Sequence, residues 1–400
     1  MSADRLYYLD SYLTEFTARV LETRSVEGHQ EVILDRTAFY PEGGGQPADL
    51  GELAGARVVD VVEREGKVVH RIEGELHGGE VVGRLDWARR FDHMQQHSGQ
   101  HLLSQAFERL LAARTVSFHV GPETSTIDLA APSPSWEQVE SVELLANQVV
   151  FENRPILVHI VDPSDLARFD LRKGTDRTEQ VRIVEIPDFE AIPCGGTHCR
   201  STAEVGLVKV VKWERRGGNT RVELLCGGRA LRDYQAKNRT VVGLAAALSV
   251  RDREVRDAVE RLVRENGEVR HQAGLLRDRL LDYRAEELLR EARPVGAASV
   301  VLAILPGSSP EELKHLAGRI TVDAGRVALL ATAGEKPHLV FARSEELSLD
   351  AGVLLRQACG PFGGRGGGRP NLAQGGIPDG EKVGAALEEA FRLVRSALAV

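Results

Sequence analysis

Short runs of β-branched residues, separated by Gly and polar residues, dominate the N-terminal part of the chain. Within each run, hydrophobic and polar positions alternate in a way that is typical of strands with one buried face. The runs are LTEFTARVLE, EVILDRT, ARVVDVVERE, KVVHRIEG and EVVGRLDW. This pattern predicts a small β-barrel domain over residues 1–89.

The hydrophobic spacing becomes helical after residue 90. In DHMQQHSGQHLLSQAFERLL the apolar residues recur at helical spacing, which indicates an amphipathic helix. Short strands follow in TVSFHV and TSTIDLA, then a helix near residues 134–153, and finally a hairpin formed by LVKVVKWE and TRVELLCGG. Residues 90–245 are therefore predicted to form a second domain, of the α+β type.

A heptad pattern marks residues 246–293. From Val255 to Tyr283 the apolar residues are spaced alternately four and three positions apart, like the seam of a coiled coil. Asn266 occupies a seam position, where an amide fixes register at some cost in stability. We expect this long helix to contact a second copy of the chain, with packing inside the chain as the alternative.

The last part of the chain, residues 294–400, has a βαββα order that predicts a compact α/β domain, and the whole chain is assigned to the α+β class. Near its end, GGRGGGRPNLAQGG interleaves Arg365 and Arg369 with glycines. Such a segment lets the backbone approach a phosphate while guanidinium groups neutralise it. No GK[ST] sequence follows, so the segment is not a Walker loop. Structural turns are the alternative interpretation.

Composition and charge narrow the function classes. No signal-like N-terminal segment and no apolar run of about 18 residues is found, so we expect a cytoplasmic protein without a membrane span. The four cysteines in 400 residues favour a reducing compartment over a disulfide scaffold. The net charge of −8 argues against nucleic acid, yet residues 209–239 hold nine Lys and Arg against three acidic residues. This basic segment suits either a phosphate backbone or an ordinary solvated face.

Two short strings supply the donor atoms of a possible metal site. His97 and His101 lie four residues apart and project from one face of the predicted helix. Cys194 and His198 are also four residues apart, in a glycine-containing string after a proline that indicates a tight loop. Two such pairs, brought together, make a four-ligand zinc set.

Two further donors leave the choice of ligands open on spacing alone. His93 extends the histidine stripe by one more four-residue step, and Cys199 directly follows the CGGTH string. The helix lacks the Glu of an HExxH sequence, so no zincin-type general base is present.

A second candidate site is the loop TAFYPEGGGQ between predicted strands. Gly43, Gly44 and Gly45 are consecutive, and three glycines lose much conformational entropy when they become ordered. Close approach of a ligand to the backbone is one reason to keep such a loop. A flexible hairpin connection is the alternative.

Four segments resemble, in the same order, the editing and C-terminal domains of alanyl-tRNA synthetases: TAFYPEGGGQPADLGEL, HSGQHLLSQAF, IPCGGTHC and GGRGGGRPNLAQGG. No class II aminoacylation core precedes them, so the chain looks like a freestanding alanyl-tRNA editing protein of the long AlaX type. The resemblance covers most of the chain, and the shared order makes it specific. It implies an editing domain over 90–245 and a DHH-associated domain over 294–400.

The resemblance also implies an activity, a metal and partners. The expected reaction is hydrolysis of the ester in tRNA(Ala) wrongly charged with serine or glycine, by a homodimer joined through the heptad helix, the C-terminal domain or both. One zinc ion per chain would be held by His97, His101, Cys194 and His198. The family's leucine pair after the second histidine matches Leu102 and Leu103, which favours this set over one with His93. His93 and Cys199 would then be neighbours of the metal.

Thr37 and Gln46 match family positions that line the amino-acid pocket. Size cannot admit serine and reject the smaller alanine, so discrimination must come from hydrogen bonds to the serine hydroxyl. We expect the Thr37 hydroxyl and the Gln46 amide to make these bonds. Gly43, Gly44, Gly45, Arg365 and Arg369 are expected to contact the substrate. Zinc would either activate water or position the aminoacyl end.

Two other function classes remain open. A zinc hydrolase of small esters would use the same ligands without needing the basic segment or the arginine-glycine tail. A zinc-stabilised RNA-binding module without catalysis would need the metal only for its fold.

Overall fold

The computed structural model describes residues 4–26, 28–175, 179–332 and 334–398. The chain divides into two compact units, Met1–Ala247 and Leu248–Val400. The finer predicted boundaries after residues 89, 245 and 293 stay predictions, and the predicted ends at residues 1 and 400 lie outside the described residues. Within the described ranges, no helix combines the length and apolar composition needed to span a membrane.

The first unit is a mixture of strands and helices. Its strands are β1 (Asp4–Arg5), β2 (Glu15–Val26), β3 (His29–Leu34), β4 (Arg36–Thr37), β5 (Gly51–Leu53), β6 (Ala56–Arg64), β7 (Lys67–Glu73), β8 (Glu80–Leu85), β9 (Thr115–Val120), β10 (Ser125–Leu129), β11 (Leu157–Val161), β12 (Val181–Ile186), β13 (Glu190–Pro193), β14 (Val208–Arg216) and β15 (Asn219–Cys226). Its helices are α1 (Leu6–Leu9), α2 (Trp87–Leu111), α3 (Trp136–Phe151) and α4 (Gly227–Leu248), the last of which ends at the boundary.

Six strands near the N-terminus pair in a closed ring. Their order is β2, β3, β7, β6, β5 and β8, and β8 pairs back with β2. Alternate side chains point inward, as in β8, where Val81, Gly83 and Leu85 are buried and the residues between them are exposed. The five predicted strand runs all lie in this ring, and only the short β5 was not predicted.

Helix α2 connects the ring to the metal-ligand candidates. It begins at Trp87, earlier than the histidine stripe suggested, because the Asp86 side chain accepts a hydrogen bond from the Arg89 N–H and caps it. Met94, Leu102 and Phe107 are fully buried in the core beneath the helix. The predicted helix is confirmed, and its middle part, residues 96–104, is buried on every side.

Two larger sheets and the short parallel pair β1–β4 complete the first unit. One has the strand order β14-β15-β10-β9, and the other has the order β11-β12-β13. All pairs in both sheets are antiparallel. The CGGTH string begins directly after β13, which ends at Pro193. The second sheet therefore fixes the position of the loop that carries Cys194.

The second unit is built on one mixed six-stranded sheet. Its strands are β16 (Arg293–Val295), β17 (Ala298–Leu305), β18 (Arg326–Thr332), β19 (His338–Arg343), β20 (Arg365–Arg369) and β21 (Leu372–Gly376), in the order β16-β17-β18-β19-β21-β20. Its helices are α5 (Val255–Arg290), α6 (Pro310–Ile320), α7 (Ala351–Cys359) and α8 (Val383–Leu398). The mixed α+β class of the chain is confirmed, as is the predicted βαββα order from β17 to α7.

The arginine-glycine segment forms the β20–β21 hairpin at the edge of this sheet. A Cβ atom added to Gly366 would come within 2.6 Å of the Leu355 Cδ2 atom on α7, and one added to Gly375 within 2.9 Å. These glycines therefore let the β20–β21 hairpin lie close to α7. Arg365 and Arg369 are exposed, and their predicted contact with substrate stays a prediction.

Helix α5 is one uninterrupted helix through Gly267 and Gly274. Near its C-terminal end, Ala285 packs against the sheet of the second unit. The predicted heptad seam lies elsewhere on the helix, and Leu276 and Leu280 are 64% and 65% exposed. Within the described residues of this chain the seam has no covering partner. Its contact with a second copy stays a prediction.

Candidate metal centre

Four side chains from two distant parts of the chain converge at one point. The ligand atoms of His97, His101, Cys194 and His198 all lie within 4.8 Å of one another. The Cys194 Sγ atom is 3.3 Å from the Nε2 atom of His97 and 3.3 Å from that of His198. Histidine nitrogen and cysteine sulfur form a donor set that suits zinc, and four of them can surround one ion.

Helix and loop geometry explain why these side chains meet. His97 and His101 are one helical turn apart on α2, and their rings stack with centroids 5.2 Å apart. The loop between Cys194 and His198 passes directly over the His97 ring. A Cβ atom added to Gly196 would come within 2.5 Å of the His97 Nδ1 atom. Only glycine allows the loop backbone to approach the ring this closely.

Each histidine uses its Nδ1 atom in a hydrogen bond, which leaves Nε2 available to a metal. The His97 Nδ1 atom lies 2.8 Å from Gln46 Oε1, that of His101 lies 2.6 Å from Glu190 Oε2, and that of His198 lies 3.2 Å from Ser98 Oγ. The amide and carboxylate oxygens can only accept, so His97 and His101 carry their proton on Nδ1. This is the arrangement in which outer groups orient metal-binding imidazoles.

Gln46 ties the triple-glycine loop to the metal-ligand candidates. Its Oε1 atom accepts from the Thr197 N–H at 3.2 Å as well as from His97, and its Nε2 atom donates to the Thr197 hydroxyl at 2.8 Å. The side chain is fully buried. The structure therefore places Gln46 between a candidate ligand and the CGGTH loop. Its predicted contact with a serine hydroxyl stays a prediction.

Glu190 accepts a hydrogen bond from the Nδ1 atom of His101, as Gln46 does from that of His97. Its side chain is 1% exposed, and its other oxygen lies 2.5 Å from the Arg172 Nε atom. A buried carboxylate between an arginine and an imidazole holds the ring in one orientation. The sequence analysis missed both Glu190 and Arg172. Glu190 stands four residues before Cys194, but only the pairing of β12 with β13 brings it to the helix.

The pKa values of Cys194 and Cys199 are shifted in opposite directions. Burial raises the pKa of Cys194, but the rings of His97 and His198 outweigh it and hold the pKa well below its usual value. Burial raises the pKa of Cys199 to about 12, so this residue remains a thiol. Since the thiolate is the form that binds metals, Cys194 is suited to coordination and Cys199 is not.

The pKa values of the histidines follow their partners. Burial lowers the pKa of His101, but the Glu190 carboxylate outweighs it and raises the value to about 9. Burial lowers the pKa of His198 to about 3 and that of His93 to about 4. His93 is buried outside the group of four donors. That His93 is a neighbour of the metal rather than a ligand stays a prediction.

A cleft of about 730 Å³ opens beside the four donors. His97, His101 and Cys194 line it, and Gly43 and Gly44 form part of its rim. Gly45 instead packs on the backbone of Phe118, where a Cβ atom would come within 2.9 Å of the carbonyl carbon. Further lining residues that the sequence analysis missed are Tyr8, Tyr40, Phe118, Arg172 and Lys173.

Thr37 lies inside the unit, behind this lining. Its side chain is fully buried, its Oγ1 atom lies 2.8 Å from His70 Nε2, and it accepts from the Phe39 N–H at 3.1 Å. The His70 Nδ1 atom lies 3.1 Å from the Val32 carbonyl oxygen and must donate to it. His70 Nε2 is therefore an acceptor, and the Thr37 hydroxyl donates to it.

Comparison with known proteins identifies the family. The chain matches the tRNA synthetases class II (A) family at residues 11–89, the Threonyl and Alanyl tRNA synthetase second additional domain at 181–223 and the DHHA1 domain at 297–396. Alanyl-tRNA editing protein AlaX-L of Pyrococcus horikoshii is 31% identical over 386 residues, which cover 94% of this chain and 94% of that protein. The chain belongs to the AlaX-L family.

Other relatives of this AlaX-L family member are longer or shorter. Alanine--tRNA ligase of Methanoregula boonei is 33% identical over 98% of this chain, which spans only 44% of that ligase. The crystal structure of the C-Ala domain from Aquifex aeolicus alanyl-tRNA synthetase matches with 28% identity and a TM-score of 0.25, covering 27% of this chain and 98% of that domain. The family resemblance stated from the four sequence segments is confirmed.

Proposed function

We propose that this AlaX-L family member edits alanyl-tRNA by hydrolysing the ester that joins serine to tRNA(Ala). The observation that carries the proposal is the convergence of three imidazoles and one cysteine sulfur, of which His97, His101 and Cys194 line a cleft. The name of the Pyrococcus horikoshii relative supports the editing of alanyl-tRNA. Gly-tRNA(Ala) is the second candidate substrate.

We propose that the metal is zinc, one ion per chain, held by His97, His101, Cys194 and His198. The donor chemistry supports zinc, because a thiolate with imidazoles is a zinc set and no carboxylate belongs to the group. The Nδ1 bonds of the histidines support it as well, because they leave Nε2 for a metal. When bound, zinc supplies Lewis-acid polarisation of the ester carbonyl.

The chain's own residues position the ester and the solvent around it. Three of the proposed ligands line the cleft, whereas His198 is not part of its lining. The ester would therefore enter from the side of His97, His101 and Cys194. Tyr40 donates to the Gly43 carbonyl at 2.9 Å, which holds the glycine loop at the rim. An ordered rim restricts the orientations that the aminoacyl group can take.

Selection of serine over alanine is proposed to rest on the Thr37 hydroxyl. This hydroxyl donates to His70 and accepts from the Phe39 N–H, which leaves its oxygen one lone pair. A serine hydroxyl that passes the cleft lining would donate to that lone pair. Thr37→Val removes that acceptor, and we expect the ratio of kcat/KM for Ser-tRNA(Ala) over Ala-tRNA(Ala) to fall by about tenfold or more. Steady-state deacylation with both substrates measures the ratio.

Thr37→Ser is the matched control, because it retains the hydroxyl and should retain the ratio. Thermal unfolding of both variants separates specificity from stability, since valine also leaves His70 without its donor. An unchanged ratio in Thr37→Val would remove Thr37 from substrate selection.

One assay tests the proposed function against its two alternatives. Deacylation of Ser-tRNA(Ala), Ala-tRNA(Ala) and free seryl esters is measured with and without a zinc chelator. We expect rapid hydrolysis of Ser-tRNA(Ala), slow hydrolysis of Ala-tRNA(Ala), and loss of both with the chelator. Preferential hydrolysis of free esters would indicate a small-ester hydrolase. Binding of tRNA without any hydrolysis would indicate an RNA-binding module.

A second copy of the chain is the proposed protein partner. The exposed heptad seam of α5 supports this proposal, because exposed apolar residues at seam spacing are the surface that coiled coils bury. Asn266 in the seam would select register and partner number.

A further inference from the structure

The basic segment recognised in the sequence is mostly neutralised by ion pairs within the fold. Of its nine Lys and Arg residues, six pair with carboxylates: Lys209, Lys212, Arg221, Arg229, Arg232 and Lys237. Arg215, Arg216 and Arg239 have no ion pair among the described residues. Arg215 and Arg216 are adjacent and exposed at the end of β14, next to the Gly217-Gly218 turn.

An exposed tryptophan lies beside these two arginines. The Trp136 ring packs on Trp213 of β14, with ring centroids 4.4 Å apart and planes at 68°. Trp136 is 61% exposed, although a tryptophan side chain is a large apolar surface. Because side chains alternate along a strand, Arg215 shares the face of Trp213, whereas Glu214 and Arg216 point to the other face. Arg216 is the last residue of β14 and lies at the tip of the hairpin.

The sheet fixes the distance between this patch and the cleft, through a row whose middle residues are buried. Trp213 pairs with Val222, Val222 with Ile127, and Ile127 with Phe118, so the four residues form one row across β14, β15, β10 and β9. Phe118 lines the cleft, and its ring centroid is 5.1 Å from that of His97. Three strand spacings of about 4.8 Å separate the two ends of the row, or about 14 Å.

We propose that Trp136 and Arg215, together with Arg216 at the tip of the β14–β15 hairpin, form an RNA-binding surface for the unpaired nucleotides next to the esterified 3′ end. A base would stack on the exposed Trp136 ring, and the two guanidinium groups would contact phosphates of the same strand. An aromatic ring beside unpaired cations matches the chemistry of single-stranded nucleic acid. The inference rests on the proposed function, because it takes the RNA end into the adjacent cleft.

Binding of uncharged tRNA(Ala) tests this surface independently of catalysis. The variants are Trp136→Ala, Trp136→Phe and the double variant Arg215→Ala with Arg216→Ala. The matched control is the double variant Arg24→Ala with Arg57→Ala, which removes the same charge from exposed positions on β2 and β6. Dissociation constants are measured across a series of salt concentrations, and thermal unfolding confirms that each variant is folded.

We expect Trp136→Ala to weaken binding by about tenfold, and Trp136→Phe to restore most of it, because a phenyl ring still stacks. The loss should disappear with tRNA that lacks its unpaired 3′ nucleotides. The double variant at Arg215 and Arg216 should lower the slope of log affinity against log salt by about two, one for each phosphate contact. The control should leave the slope unchanged.

Two results would overturn the inference. One is an affinity of Trp136→Ala equal to that of the unaltered protein for intact tRNA. The other is an equal change of slope in the two double variants, which would show a general effect of net charge. Because the tRNA carries no amino acid, absence of deacylase activity would contradict the proposed function without altering either measurement.

Discussion

Gly196→Ala is expected to abolish tight metal binding, whereas Gly195→Ala, one residue earlier, leaves it intact. The added methyl group at Gly196 would lie within 2.5 Å of the His97 Nδ1 atom and 3.1 Å from Gln46 Oε1. His97 cannot move away without losing its bond to Gln46, and its ring is enclosed by those of His101, His198 and Phe118. At Gly195 the nearest atom to an added Cβ is the Tyr8 hydroxyl oxygen, at 3.5 Å.

Zinc titration in competition with a chromogenic chelator measures this difference. We expect the dissociation constant of Gly196→Ala to rise by about 100-fold or more, the upper end of what misplacing a ligand's orienting partner costs. Gly195→Ala should stay within about threefold of the unaltered protein, which is ordinary experimental spread for a surface change. Equal zinc affinity in both variants would mean that the CGGTH loop does not position His97 for metal binding.

The spacing of histidines along the chain predicts only part of the candidate metal centre. A four-residue interval puts His97 and His101 on one helix face whatever the rest of the fold does, so this pair followed from helix geometry alone. The same interval also joins His93 to His97, and spacing could not choose between the two pairs. The structure separates them because the loop that carries Cys194 and His198 reaches only the later turn of α2.

The outer partners of these ligands could not be predicted, because they come from sequence-distant strands. The family resemblance assigns Gln46 to the amino-acid pocket, which stays a prediction, and it gave no sign that the amide bonds to residues on α2 and in the CGGTH loop. No local sequence pattern marks Glu190, which reaches His101 only because β13 lies beside α2 in the fold. Such contacts depend on how elements pack, and local patterns carry no information on them.

Composition was an equally incomplete guide to the basic and glycine-rich segments. The count of cations between residues 209 and 239 did not show that most of them face carboxylates on neighbouring strands and helices. Glycines interleaved with arginines suggest contact with a phosphate, which stays a prediction, and they did not show that Gly366 and Gly375 lie where a hairpin packs against Leu355. For the cations and for the glycines alike, the residues that each one contacts in the fold cannot be deduced from residue type.

Cys194→Ala is expected to eliminate deacylation of Ser-tRNA(Ala) while leaving tRNA binding unchanged. The Sγ atom is the donor that lies 3.3 Å from two of the three imidazoles, and the histidines hold its pKa low enough for the thiolate to form. Without it, only nitrogen donors remain, and the proposed zinc set is incomplete. We expect a loss of activity of about 1,000-fold or more, on the scale of removing a principal stabilising group from a reaction centre.

Cys199→Ala is the matched control, because it removes a sulfur atom only five positions further along the chain. Cys199 is 2% exposed, and the bond that its backbone N–H donates to Ser98 survives the substitution. This variant should retain zinc and activity and lose only stability, by about 1 kcal/mol for a small buried side chain. Zinc content, deacylation rate and melting temperature are measured on both variants. Full activity in Cys194→Ala, or equal loss in Cys199→Ala, would mean that the thiolate beside the histidines is not what the reaction requires.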